Sequence, residues 1–259
     1  MLSTDIEKLN NHIANRCPCF ELPIEECNCN CNMENLEQQK LASQSNNKPV
    51  LLGLCGFSDS GKDTVAEYLI KNYNFNKVAF GDSLKNSISY TFDIPTYLWY
   101  SKEWVSEPCA TFGGKTPREL LQYYGTDVAR KINPDVWVNK VRYKMESLSQ
   151  GMNKRIILTD IRFPNELKLL QEFGGKLVYV YKPGLVPYKL VKLVRILGIN
   201  TFTKSIVSLL ANKKYSHVSE LNSISLREQA DHVLYNVTSL DSLYTQIDKL
   251  MKKYENSNS

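Results

Sequence analysis

The chain has 259 residues, 42% of them hydrophobic and 23% charged, with 12 Gly and 10 Pro, a usage that excludes a wholly disordered, collagen-like or linker-dominated protein. No apolar run of about 18 residues occurs, and Met1–Lys8 has neither a basic nor an apolar leader region, so neither a transmembrane segment nor a secretory signal is expected, and a cytoplasmic location is. The net charge of +5 is unevenly spread: residues 1–48 carry seven acidic and four basic side chains, whereas 173–219 carry eight basic and no acidic ones. A stretch that basic suits phosphates, nucleic acid or acidic lipid head groups, or else is a solvated helix face.

Residues 1–48 are rich in Asn, Glu and Gln and lack an apolar period, and they read as an extension outside the main fold. They contain Cys17, Cys19, Cys27, Cys29 and Cys31. In an intracellular chain such a cluster points to metal or redox chemistry more than to structural disulfides. Its C-x-C and C-x-C-x-C spacing departs from the usual zinc pairing, which leaves the absence of a metal as the preferred reading. Cys55 and Cys109 read as small core or loop residues.

From Pro49 strands and helices alternate. The strand Val50–Cys55 is followed by a helix at Thr64–Tyr73, a strand at Lys77–Phe80 and helices at Ser83–Phe92, Pro117–Tyr124 and Asp135–Leu148. A strand at Arg155–Thr159, a helix at Asn165–Phe173, strands at Leu177–Tyr181 and His232–Tyr235 and a helix at Leu240–Met251 complete the order. This alternation predicts an α/β fold with a parallel sheet covered by helices on both faces, over residues 49–254. Residues 255–259 read as a frayed tail. Between the last two strands, Leu190, Leu193, Val194 and Leu197 follow i, i+3, i+4, i+7 within a basic segment, 185–214, which predicts an amphipathic helix.

Gly56-Phe57-Ser58-Asp59-Ser60-Gly61-Lys62 fits G-x-x-x-x-G-K between a buried strand and a helix, the context that a phosphate-binding P-loop requires. Its glycines permit the turn, successive amides face a phosphate, and the helix N-terminus adds a positive dipole end. Lys62 would bridge the β- and γ-phosphates. Asp63 follows the lysine and Thr64 comes next, and either oxygen could help hold Mg²⁺.

Ligands of parallel α/β sheets gather at the carboxyl ends of strands. Lys85, early in the helix after the second strand, could face an acceptor phosphate or simply be a surface lysine. Asp160, ending the third strand opposite the P-loop, suits an Mg²⁺ or water-positioning role, and Arg162 offers a fork matched to phosphate oxygens. Asn165 and Glu166 could bond a base or sugar, with Asn165 as a helix cap the structural alternative. Thr116 and Pro117 suit a helix start, and Gly125 could end that helix, presenting Gly125 and Thr126 to a ligand. Trp137 could pack on a nucleobase or in the core. Arg118 and Arg130 are further cations with surface salt bridges as their alternative.

These residues resemble the deoxynucleoside monophosphate kinases of phages and large DNA viruses. The likeness rests on Ser60-Gly61-Lys62-Asp63-Thr64, the T-P-R-E-L-L-Q-x-x-G-T-D block at 116–127, Trp137 after Pro134, Asp160-x-Arg162-Phe163-Pro164-Asn165-Glu166, and His217-Val218-Ser219-Glu220. It implies a P-loop NTPase fold and ATP-dependent, Mg²⁺-assisted conversion of a dNMP to a dNDP by in-line transfer, in the host-cell cytoplasm if viral. It implies ATP on Gly61, Lys62, Asp63, Thr64 and Val65, and the dNMP near Ser58, Lys85, Gly125, Thr126, Trp137, Asp160, Arg162 and Glu166. Lys62, Arg162 and Asp160 would be catalytic, and Asp63, Thr64 and Asp160 would surround Mg²⁺. Gly81-Asp82-Ser83-Leu84-Lys85 is similar to the acceptor loop of adenylate kinases, with a lysine point charge in place of an arginine fork. The segment 185–214 occupies the lid position of related kinases, so Lys189, Lys192 or Arg195 is expected near the phosphates, with a peripheral partner or membrane-surface role as the alternative. No obligate nucleic-acid partner is expected, and a homodimer is left open. The alternatives are a kinase of another small phosphorylated acceptor such as dephospho-coenzyme A, and a nucleic-acid-binding ATPase using 173–219.

Overall fold

In the computed structural model the chain divides into two units, Met1–Asn46 and Asn47–Ser259, and the structure describes residues 50–149, 155–199, 201–210 and 215–256. The cysteine cluster and the extension at 1–48 lie outside the described residues.

Five parallel strands, β1 (Val50–Cys55), β2 (Asn76–Val78), β3 (Arg155–Leu158), β4 (Lys176–Tyr181) and β5 (His232–Tyr235), form one sheet in the order β2-β3-β1-β4-β5. β1 is central, with Gly53 opposite Leu158 on one side and Leu177 on the other. The chain leaves β1 to build β2 and β3 on one flank, then crosses to build β4 and β5 on the other. That reversal opens a crevice at the carboxyl end of β1, where ligands of such sheets bind.

Among the described residues, nine α-helices of six residues or more follow in chain order: α1 (Lys62–Tyr73), α2 (Phe80–Phe92), α3 (Pro117–Gln122), α4 (Val136–Ser149), α5 (Pro164–Glu172), α6 (Tyr188–Leu197), α7 (Thr201–Leu210), α8 (Val218–Glu228) and α9 (Leu240–Asn256). Side-chain alternation along the strands feeds two cores. Leu52, Leu54, Ile157, Val178 and Val180 pack with Val65 and Leu69 of α1 and Leu243 and Ile247 of α9. Ile156, Leu158, Leu177 and Tyr179 pack with Trp137, Val141 and Met145 of α4 and Leu167 and Leu170 of α5. A satellite cluster of Ile88, Trp99 and Val105 lies under the short 3-10 turns between α2 and α3.

Several boundaries differ from expectation for physical reasons. The second strand stops at Val78 and Phe80 already opens α2, because the Asp160 carboxylate accepts the Phe80 and Gly81 amides, each at 2.8 Å, and so caps the helix from across the sheet. Thr116 caps α3 as expected, accepting the Glu119 amide at 3.1 Å while Glu119 accepts the Thr116 amide at 3.0 Å. Gly125 does not end that helix: the chain continues through a π-helical turn, Tyr123–Ala129, into Arg130–Ile132. The Gly125 carbonyl accepts Trp137 Nε1 at 3.0 Å, and a Cβ at Gly125 would stand 2.5 Å from Leu84 Cδ2, so core packing draws the turn inward. Of the apolar stripe in 185–214, Leu190 and Val194 are buried, with Phe57, Tyr215, Leu221 and Ile224, whereas Leu197 is exposed. Among the described residues no helix is long and apolar enough to cross a membrane.

Leu170 is fully buried between α5 and the sheet. Leu170→Ala should lower the unfolding free energy by about 2–5 kcal/mol, read from denaturant midpoints at unchanged slope. A loss under about 1 kcal/mol would mean the neighbouring side chains collapse into the vacancy.

Candidate active site

The loop from Gly56 to Gly61 leaves β1 and feeds directly into α1. Two of its positions require glycine. Gly56 has φ +137°, and a Cβ there would meet the Val180 carbonyl at 2.5 Å; Gly61 has φ +103°, and a Cβ would meet Asn236 Nδ2 at 2.5 Å. Asn236, just after β5, donates its amide to the Tyr181 carbonyl at 2.8 Å and its side chain to the Ser60 carbonyl at 3.0 Å. The loop is thereby pinned to the far half of the sheet.

Lys62 folds back over this loop and donates to the Gly56 and Phe57 carbonyls at 2.9 and 2.7 Å. Only 8% of the residue is exposed. Burial, reinforced by the Arg162 charge and opposed by Asp63, brings its ammonium down to about 7. The neighbouring Cys55 thiol is pushed up to about 12 by burial, so it stays protonated and unreactive. Ser60 Oγ is buried with no hydrogen-bond partner among the described residues. An orphaned hydroxyl, a lysine held only by neutral carbonyls and a helix N-terminus form a donor set that an anionic phosphate would complete.

The facing wall follows β3. Burial raises the Asp160 carboxyl above its usual range, against the pull of the Gly81 and Phe80 amides and of Arg162. Arg162 pairs with Glu220 through Nη1. Glu166 contacts Arg130 Nη2 through one oxygen, while the other accepts the Arg162 and Phe163 amides at 2.6 and 3.0 Å. Burial pushes the Glu166 carboxyl up to about 7 although Arg130 opposes it. The Arg130 guanidinium lies 4.0 Å from the Phe163 ring centroid. Glu166 therefore braces the Arg162 loop and has both oxygens engaged by protein. Asn165 likewise holds the Pro134 carbonyl and Asp135 Oδ1, at 2.9 and 2.8 Å.

Lys62, Asp63, Lys85, Asp160 and Arg162 converge at the carboxyl ends of β1, β2 and β3. Asp63 lies within electrostatic reach of Lys62, Lys85 and Arg162, and Arg118 within reach of Arg162. Burial lowers Lys85 below its ordinary value, opposed by Asp82 and Asp160, and its ammonium sits 4.2 Å from the Tyr100 ring centroid. Ser58 joins the group through Glu220. Thr64 and Thr126 are half-buried, in α1 and the π turn. Gly125 and Trp137 bond each other, and Trp137 packs in the core rather than facing an open base site. Val65 offers no group to a ligand, since its side chain is in the core and its amide donates to the Gly61 carbonyl at 3.1 Å. Arg195 pairs with Glu228, while Lys189 and Lys192 are exposed. Two residues central to the geometry, Asn236 and Glu220, had no role assigned from sequence. Glu220 was signalled only as the last member of the His217-Val218-Ser219-Glu220 run. Among the described residues no group of three or more His, Cys, Asp or Glu is placed to hold a metal ion by itself.

No family model matches the chain. Over 146 residues it is 31% identical to a protein of Acanthamoeba polyphaga mimivirus named as a deoxynucleotide monophosphate kinase, a match covering 52% of this chain and 76% of that protein. The chain belongs to the deoxynucleotide monophosphate kinase family. As a member of that family it is an α/β P-loop kinase, a phosphotransferase. Among solved structures it is similar to a dephospho-CoA kinase from Campylobacter jejuni, at 16% identity and TM-score 0.45 over 81% of this chain and 98% of that one. It is also similar to a shikimate kinase from Acinetobacter baumannii in complex with shikimate, at 12% identity and TM-score 0.44 over 83% and 98%.

The depressed Lys62 ammonium makes this kinase's stability depend on pH. The unfolded lysine keeps its proton up to about 10.5, whereas the folded one holds it only below about 7. Between those values the unfolded state binds more protons, so stability rises with pH. The unfolding free energy of the ligand-free protein, relative to that of Lys62→Met, should climb between pH 7 and about pH 10. A flat difference across that range would show that the buried ammonium keeps its ordinary affinity for the proton.

Proposed function

We propose that the protein transfers the γ-phosphoryl group of ATP to the phosphate of a deoxynucleoside monophosphate, yielding ADP and a deoxynucleoside diphosphate. The observation that carries this reading is that the Lys62 loop and the Arg162 loop, on neighbouring strands, are joined by a single carboxylate, Glu220. Two stations for anionic groups thus share one crevice. The name of the mimiviral relative supports the acceptor class.

The ATP phosphates would lie against Gly61, Lys62, Asp63 and Thr64 at the start of α1. Their arrival would draw Lys62 off the Gly56 and Phe57 carbonyls and restore its charge, since an anion stabilises the ammonium that burial disfavours. The acceptor phosphate would face Lys85, Arg162 and Arg118. Asp160 fixes the first turn of α2, and so the placement of Lys85, through its bonds to Phe80 and Gly81. Gly125, Thr126 and Glu166 would shape the wall of the nucleoside site, with Trp137 supporting Gly125 from the core and Ser58 at the junction of the two phosphates. The oxygens of Asp63, Thr64 and Asp160 are hard donors suited to Mg²⁺, which when bound would neutralise phosphate charge. The acceptor is already anionic, so the protein needs no strong general base; Lys62 and Arg162 supply alignment and compensation of charge. In this reading residues 49–254 are the catalytic unit and residues 1–48 an addition to it.

The test is an acceptor panel with ATP: dAMP, dGMP, dCMP, dTMP, the ribonucleotides, dephospho-coenzyme A and DNA. At least one deoxynucleoside monophosphate should be phosphorylated, with ADP formed in equal amount. Lys62→Ala should lower that turnover by about a hundredfold or more, with the fold retained by circular dichroism. Turnover confined to dephospho-coenzyme A, or ATP hydrolysis that only DNA stimulates, would replace this reading.

A further inference from the structure

Glu220 is almost completely enclosed, with 2% of the residue exposed. It sits in the first turn of α8, whose N-terminus is capped by His217 Nδ1 accepting the Ser219 amide at 3.2 Å. A carboxylate in that position is favoured by the helix dipole. Its Oε2 accepts the Ser58 amide at 2.7 Å, and its Oε1 accepts the Ser58 hydroxyl at 2.9 Å and pairs with Arg162 Nη1. Ser58 belongs to the loop that carries Lys62, and Arg162 to the loop that follows β3. The next residue of α8, Leu221, is fully buried, and with Ile224 it packs against Phe57 and the insert helices. The carboxylate is therefore held in place from both directions.

A guanidinium has five N–H donors in a rigid fork. Glu220 takes up one edge of Arg162 and leaves the others for an incoming phosphate. We propose that Glu220 is a positioning residue for phosphoryl transfer, fixing the Arg162 guanidinium relative to the P-loop so that donor and acceptor phosphates meet in line. It acts through Arg162 and Ser58 and does not touch the reacting atoms. The inference rests on the kinase reading given above, and two readouts separate its failure from the failure of that reading.

The first readout is a double-mutant cycle in the full-length protein with Glu220→Gln and Arg162→Ala. Glutamine keeps the volume but removes the charge and one acceptor oxygen. Glu220→Gln alone should lower kcat by about tenfold or more while KM for ATP moves by less than about threefold. In the Arg162→Ala background the same substitution should change kcat by less than about twofold. Losses that multiply independently, or an equal loss in both backgrounds, overturn the proposal.

The second readout needs no turnover. Amide hydrogen exchange across residues 56–62 should be slow in the wild type and faster in Glu220→Gln. Glu220→Asp keeps the charge but is one methylene shorter, so it should lose kcat because it cannot reach Ser58 and Arg162 together. It also serves as the second variant if Glu220→Gln does not fold. Unchanged exchange in Glu220→Gln overturns the bridge whether or not any acceptor is found. An absence of dNMP phosphorylation with altered exchange defeats the acceptor assignment alone.

Discussion

An ammonium removed from water and held only by two backbone carbonyls is the constraint on which the site depends. Neutral dipoles do not repay the loss of hydration of a full charge, so Lys62 without ligand is poised between its charged and neutral forms. The surroundings maintain that condition. Gly56 and Gly61 let the loop close tightly around the lysine, Asn236 ties the loop to the carbonyl ends of β4 and β5, and the Arg162 charge disfavours a second cation nearby. A loop that carries a buried ammonium and an orphaned Ser60 hydroxyl at a helix N-terminus is pre-arranged for phosphate oxygens. Preorganisation of that kind is what phosphoryl transfer draws upon.

The carboxylates of the site have a different task from its cations. Asp160 caps α2, Glu166 clasps Arg130 and the amides of the Arg162 loop, and Glu220 joins that loop to Ser58. Each buried carboxylate is satisfied by backbone amides as well as by a neighbouring cation, the condition under which burial of charge is tolerated. The acids set the geometry and the bases are left to meet the ligand. This division fits a reaction whose acceptor is already ionised and needs no proton removed.

The strands β1, β3 and β4 were legible because parallel strands buried on both faces read as unbroken apolar runs, and the P-loop because its spacing occurred between a strand and a helix. The beginning of α2 was not legible, since the group that caps it, Asp160, lies far along the chain. Gly125 misled for a related reason: a glycine after a helical run signals an end, but here Leu84 and the Trp137 indole require its missing side chain and its carbonyl. Helix α8 is not legible as an amphipathic helix because Ser219, Glu220 and Ser223 are buried among Leu221, Ile224 and Leu226, which blurs the apolar period. Glu220 resembled any acid in a first helical turn until its partners, 162 and 58 residues distant in sequence, were brought together.

Charge counted along the sequence is a poor guide to charge in space, and this bears on which partners the molecule suits. The window 173–219 has no acidic residue, yet Arg195 pairs with Glu228 and Lys176 with Asp231 at 3.1 Å. Both acids lie just beyond the window, on α8 and before β5. Leu190, Val194 and Val207 of α6 and α7 pack with Phe57 and with Leu221 and Ile224 of α8, which anchors the insert to the donor loop and to the helix that carries Glu220, while Ile196, Leu197, Phe202, Leu209 and Leu210 are exposed. A steering field for extended nucleic acid calls for a continuous unpaired stripe of cations. At the mouth of the sheet Lys62 is enclosed, and Arg162 and Lys85 are half-buried close by. Enclosed charges act more strongly on a nearby anion than solvated ones, so these cations would act most strongly on a phosphate that enters the crevice of β1.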